Sequence, residues 1–141
     1  MPRSDSVDVG PRDIFLDSLN RCEGTEFFDR FYERFLASSS EVRDKFKYTD
    51  FDRQRRMLRR SLQLIASATA GDPAGLRELN DRAETHRRAN LDIPPRLYDV
   101  WLDVLVTTAT EFDAKWTAEV EAAWRTILGI AIRHMTRRYD D

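Results

Sequence analysis

TEFFDRFYERFL, residues 25–36, carries Phe28, Phe31, Tyr32, Phe35 and Leu36 at steps of three and four residues. That is the period of a helix burying one face, not of a strand. Thr25 stands just before it as an N-cap whose hydroxyl can accept from an early backbone N–H.

The same grammar continues outward from this stretch. Pro11 opens a helix through Ile14, Phe15 and Leu16 to about Cys22, with Gly24 after it. Ser38 and Glu41 form the S-x-x-E pattern of a capping box, opening a short helix that ends near Phe46. Asp50 starts a long helix that runs to Gly71. Asp72-Pro73, a cap followed by proline at the first helical position, begins another through Leu76, Leu79 and Ala83. Pro94-Pro95 closes a loop and starts a helix through Trp101, Leu105 and Phe112. Thr117 caps the last one, with Glu119 and Glu121 in its first turn. Its inward set is Val120, Trp124, Ile127, Ala131 and Met135. The five glycines and five prolines fall between these periodic segments. No segment alternates polar and apolar residues long enough to argue a strand. The expectation is an all-α domain of six to eight helices over residues 11–141, preceded by a flexible segment at 1–10.

Composition narrows the class. A chain of 141 residues suits one domain, large enough to bury about two-thirds of its unfolded surface. The formal net charge of -2 gives no electrostatic reason to expect nucleic acid or a membrane as partner. Cys22 is the single cysteine, so no disulfide forms within the chain. The start, MPRSDSVDVGPRD, lacks the apolar core of a signal peptide, and no apolar run approaches the roughly 20 residues of a spanning helix. A cytoplasmic address is the expectation.

Three polar side chains fall where the helical pattern wants apolar ones. Leu76, Leu79, Ala83 and His86 follow at steps of three, four and three, which points His86 into the core near the end of its helix. In the long helix Leu58, Leu62 and Ile65 share a face, and Gln54 lies one turn before Leu58. Tyr32 sits among phenylalanines. A lone inward histidine is usually a hydrogen-bonded core residue, a buried tyrosine usually has one partner, and a helix-end glutamine usually looks at solvent. Three such groups in one small helical core each still need a partner.

A haem satisfies all three. Neutral imidazole ligates iron, and a single histidine leaves the opposite coordination position open. Tyrosine and glutamine on the open side can donate to a polar diatomic ligand. Phe46 and Leu58 supply apolar wall for the porphyrin. Other chemistries lack their residues. Neither histidine has a glutamate three residues before it, as a di-iron bundle requires. Cys22 and two histidines make no zinc pattern, and no Gly-rich phosphate loop is present. Arg53, Arg55, Arg56, Arg59 and Arg60 read as the solvated face of the long helix rather than a nucleic-acid patch, with one or two placed to pair with haem propionates.

The order and spacing of FYERF at residues 31–35, Phe46, QRRML at 54–58, His86, PRLY at 95–98 and Ala123-Trp124 resemble the bacterial single-domain globins and the globin domain of flavohaemoglobins. The resemblance spans residues 25–135. It implies a globin fold, haem b as cofactor, and His86 as the iron's metal ligand. It implies Tyr32 and Gln54 as distal residues facing the gas, and Phe46, Gln54, Leu58 and Tyr98 around the haem. Trp124 matches the family's tryptophan of the final helix. The stretch between Phe46 and Gln54 is slightly shorter than in flavohaemoglobins, and that from His86 to Tyr98 slightly longer. The carboxylate that makes the proximal histidine electron-rich there has no counterpart, Asp140 and Asp141 lying too near the chain end. No flavin or nicotinamide reductase domain lies within these residues, so any electrons come from another protein. The functions implied are reversible binding of dioxygen or another diatomic gas, such as nitric oxide or carbon monoxide. The alternatives are nitric oxide dioxygenase activity with an external reductase, and gas or redox sensing through a partner.

Overall fold

Each helix among the described residues begins where a side chain or a proline deals with free N–H groups of its first turn. In a computed structural model that describes residues 10–141, seven helices follow one another: α1 Pro11–Cys22, α2 Phe27–Ser38, α3 Ser40–Lys45, α4 Phe51–Ala68, α5 Pro73–His86, α6 Pro95–Phe112 and α7 Ala118–Arg137. Prolines open α1, α5 and α6. Asp50 accepts from the amides of Asp52 and Arg53, Asp72 from Gly75, and Thr117 from Val120. The flexible segment expected at 1–10 lies, but for Gly10, outside the described residues.

Local details depart from expectation. Helix α2 starts two residues after Thr25, yet the Thr25 hydroxyl still accepts from the Phe27 amide at 3.1 Å. The cap of α3 is Ser39, which accepts from Val42. Ser38 instead donates back to the Phe35 carbonyl, so the proposed capping box does not form. Helix α4 stops at Ala68, and Gly71, with φ +82, turns the chain rather than ending the helix. Phe27 is fully buried and belongs to the inward stripe of α2, whereas Phe28 and Leu36 are only half-buried.

Leu76 is 44% exposed. The inward stripe of α5 is instead Gly75, Leu79 and Ala83, leading to His86. A Cβ on Gly75 would lie 2.5 Å from both the Leu64 carbonyl and the Ala68 amide, so α5 crosses α4 backbone to backbone. A leucine at that spot would hold the two helices apart.

Helix α1 packs on α7, α2 on α6, and α7 also carries α5 and α6. Trp124 is the centre of this core, its ring edge-on to Phe15 with centroids 4.8 Å apart. Its indole N–H donates to the Ser18 hydroxyl at 2.9 Å, and Ser18 donates to Asp113 at 2.6 Å. Arg21 and the Lys115 amide complete the bonds to that buried carboxylate. Burial disfavours the charge of Asp113, but these donors outweigh it and hold its carboxyl below the ordinary carboxylate range. Among the described residues no helix is long and apolar enough to cross a membrane.

Candidate functional site

Helices α4 and α5 join through a tight turn and touch at Gly75, but the Gln54 end of one and the His86 end of the other both line a cleft. The cleft has a volume of about 160 Å³ and opens to solvent at its mouth. Its lining includes Tyr32, Phe46, Gln54 and Leu58 together with His86, Leu97, Tyr98 and Trp101. The sequence-predicted residues therefore gather around a single space, and Trp124 stays in the core away from it.

His86 is the last residue of α5, half-buried, with its Nδ1 2.8 Å from the Arg82 carbonyl oxygen and 3.0 Å from the Thr85 hydroxyl. A carbonyl can only accept, so Nδ1 carries the proton and donates to it. The lone pair is left on Nε2, which has no protein partner among the described residues. Burial lowers the imidazole's pKa below its ordinary value, which keeps the ring neutral. The result is a fixed tautomer with a free basic nitrogen. The second histidine, His134, shares its Nε2 with Asn80 at 3.0 Å and does not line the cleft.

Tyr32 lines the same cleft as His86. Its ring is held edge-on by Phe31, Phe46 and Phe51, with centroids 4.9, 5.9 and 5.6 Å away. Burial pushes its phenol up to about 12, while the Gln54 amide beside its hydroxyl and the charge of Arg55 pull the other way. The phenol stays protonated and is a donor at neutral pH. Gln54 is placed by the first turn of α4, its amide bonded to the Asp50 carbonyl at 2.9 Å. The slightly short stretch before it does not carry Gln54 away from the cleft. Tyr98 is buried beside His86, the two rings 6.4 Å apart and tilted by 33°, with no hydrogen bond between them. Its phenol is also raised by burial.

The cations at the cleft differ from those expected. None of Arg53, Arg55, Arg56, Arg59 and Arg60 lines it; the lining cations are Lys45 and Arg82. Arg55 turns to Asp29 and Asp52 instead. Arg82 lies one turn before His86 on the same helical face, so spacing alone could have found it. Its Nε is the one buried side-chain polar atom without a hydrogen-bond partner among the described residues. Glu78 forms an ion pair with Arg82, its Oε2 3.2 Å from that nitrogen while also accepting from the Ser61 hydroxyl at 2.5 Å. No carboxylate bonds to His86, and no group of three or more His, Cys, Asp or Glu among the described residues could hold a bare metal ion.

No family model matches the sequence, and no curated protein is similar to it at a significant level. Among solved structures, the chain is similar to a Pseudomonas aeruginosa protein whose crystal structure is described as structurally highly homologous to a human haemoglobin. The two share 37% sequence identity with a TM-score of 0.88, over 94% of this chain and 100% of that one. Helices in this order, with likeness at that level over 94% of the chain, leave one conclusion: the chain belongs to the globin family.

Proposed function

We propose that the protein holds haem b in this cleft and binds dioxygen reversibly. The observation that carries the reading is the gathering of His86, with Nε2 free, and the donor pair Tyr32 and Gln54 around one largely apolar space. The residues fit the group in three respects. The walls are apolar and aromatic, as a flat porphyrin requires. A metal here has one protein donor and needs the remainder of its ligands from the cofactor itself. Arg82, whose buried Nε makes no hydrogen bond, and Lys45 put two cations in the lining that could pair with the acidic groups of such a cofactor.

When bound, the haem would supply an iron able to take up a diatomic gas. His86 would hold it through Nε2, its ring fixed by the Arg82 carbonyl. Tyr32 and Gln54 would donate to the gas, and Phe46 and Leu58 would keep water from it. Lys45 and Arg82 would pair with the cofactor's acidic groups. The Tyr32 and Gln54 pair also supports the likeness to the globin domain of flavohaemoglobins. On that ground the second reading is oxidation of nitric oxide with an external reductase, in the cytoplasm. Absorption spectra of the purified protein, oxidised, reduced and with carbon monoxide, test the proposal. A protein that takes up no haem when haem is added would end it.

A further inference from the structure

The first ten residues of α4 carry five arginines, Arg53, Arg55, Arg56, Arg59 and Arg60, against one aspartate, Asp52. Both Asp52 and Asp29 go to Arg55. The other four are exposed and form no ion pair among the described residues. Positive charge in the first turns of a helix opposes its dipole, and like charges three or four residues apart repel. The chain alone therefore gains nothing from this arrangement. Arg56 and Arg59 line a separate depression beside Thr25 and Phe28. Arg53 and Arg60 are helical neighbours of Met57, four residues before it and three after. Met57 both lines the cleft and is 37% exposed, so these two arginines stand beside the place where the cleft opens, and Arg56, a helical neighbour of both, extends the same charged face. Arginine around an exposed methionine is also the composition of a protein–protein contact.

We propose that this face docks an acidic electron-carrier protein, with Met57 at the point where the carrier's own cofactor comes nearest. The proposal rests on the haem reading above. The transfer moves one electron and no atoms: the reduced carrier loses the electron, and ferric haem gains it to become ferrous. Charge complementarity selects the partner. Exposed arginines without ion-pair partners among the described residues along this helix attract a carboxylate-rich surface from a distance and orient it beside the mouth.

The test uses the full chain and reduced flavodoxin, a small acidic flavoprotein, as the probe. In stopped flow at low salt, Arg53→Glu/Arg56→Glu/Arg60→Glu should lower the bimolecular rate of haem reduction by about tenfold or more and flatten its salt dependence. The matching lysine variant should keep most of the rate. Reversal of three exposed arginines elsewhere, Arg77, Arg133 and Arg137, should change it far less for the same change in net charge. Fluorescence anisotropy of labelled flavodoxin against haem-free protein reads the docking by itself, with the same ranking expected. Equal effects of the two charge-reversed triples, or no effect of either, would overturn the proposal. So would tighter binding of an RNA oligonucleotide than of flavodoxin in the same anisotropy assay. If the protein holds no haem, the spectra reveal that separately, and the anisotropy ranking still decides the docking face.

Discussion

The carbonyl oxygen of Arg82 accepts from Nδ1 of His86 at 2.8 Å, so a backbone atom one turn back decides which imidazole nitrogen is free. Replacing His86 by Ala should abolish stable haem uptake, or leave it rescuable by added imidazole. His134→Ala should change little, since its partner is Asn80 on the surface. A haem spectrum in the His86 variant identical to the parent's would refute the ligand assignment.

Tyr32 and Gln54 should govern how fast dioxygen leaves. A neutral hydrogen bond is worth on the order of 1 kcal/mol, and more in a dry pocket beside partial charge. Tyr32→Phe should raise the dioxygen dissociation rate by roughly tenfold, the factor that corresponds to about 1.4 kcal/mol. Gln54→Leu should act in the same direction, and the double variant should fall short of additivity because the two groups share one target. Carbon monoxide release should move far less. Flash photolysis and stopped flow measure both ligands.

The depressed pKa of His86 gives a pH dependence with a definite sign. The unfolded chain takes up the proton near the ordinary value of 6.5, and the folded chain only at lower pH. Stability from this group is therefore complete above that value and is lost as pH falls through the folded pKa. Ligation of a metal by Nε2 sharpens the same trend, because it too requires the neutral ring. Melting temperature with haem present should stay level above neutrality and drop on the acid side. His86→Gln should flatten that part of the curve.

Asp113 ties three elements of the core at one carboxylate. Asp113→Ala strands the guanidinium of Arg21 and leaves the Ser18 hydroxyl, hence the Trp124 indole, with a broken chain of bonds. Because Arg21 is 30% exposed and can recover water, the expected cost is at the lower end for a broken buried pair, about 3 kcal/mol. Urea unfolding should show it as a lower midpoint with unchanged slope. The haem spectrum should be unaltered, since none of these residues touches the cleft.

Helix number, order and most boundaries were legible because the caps are local: Asp50, Asp72 and Thr117 each act on amides two or three residues away. Ser38 against Ser39 was not legible, because two adjacent serines offer the same hydroxyl and only the extended backbone at Ser39 decides between them. Periodicity named Leu76 as inward because it counts hydrophobicity, whereas the contact with α4 selected the absence of a side chain at Gly75. His86, Tyr32 and Gln54 stood out as polar residues on apolar faces. Lys45 and Arg82 did not, because long cationic side chains on a helix look solvated until the neighbouring helix shows what lies beside them.

Gly75 also acts mechanically. Two helices that meet backbone to backbone at one end and part at the other work like the arms of a pair of tongs, with the glycine as pivot. From Gly75 to His86 the arm is about 16 Å long at the usual rise of an α-helix. A rotation of a few degrees at the pivot moves the imidazole by about an ångström, as large as the misplacement that spoils a positioned group. The grip on whatever lies between the arms is thus set far from it, at a position whose only chemical property is to have no side chain.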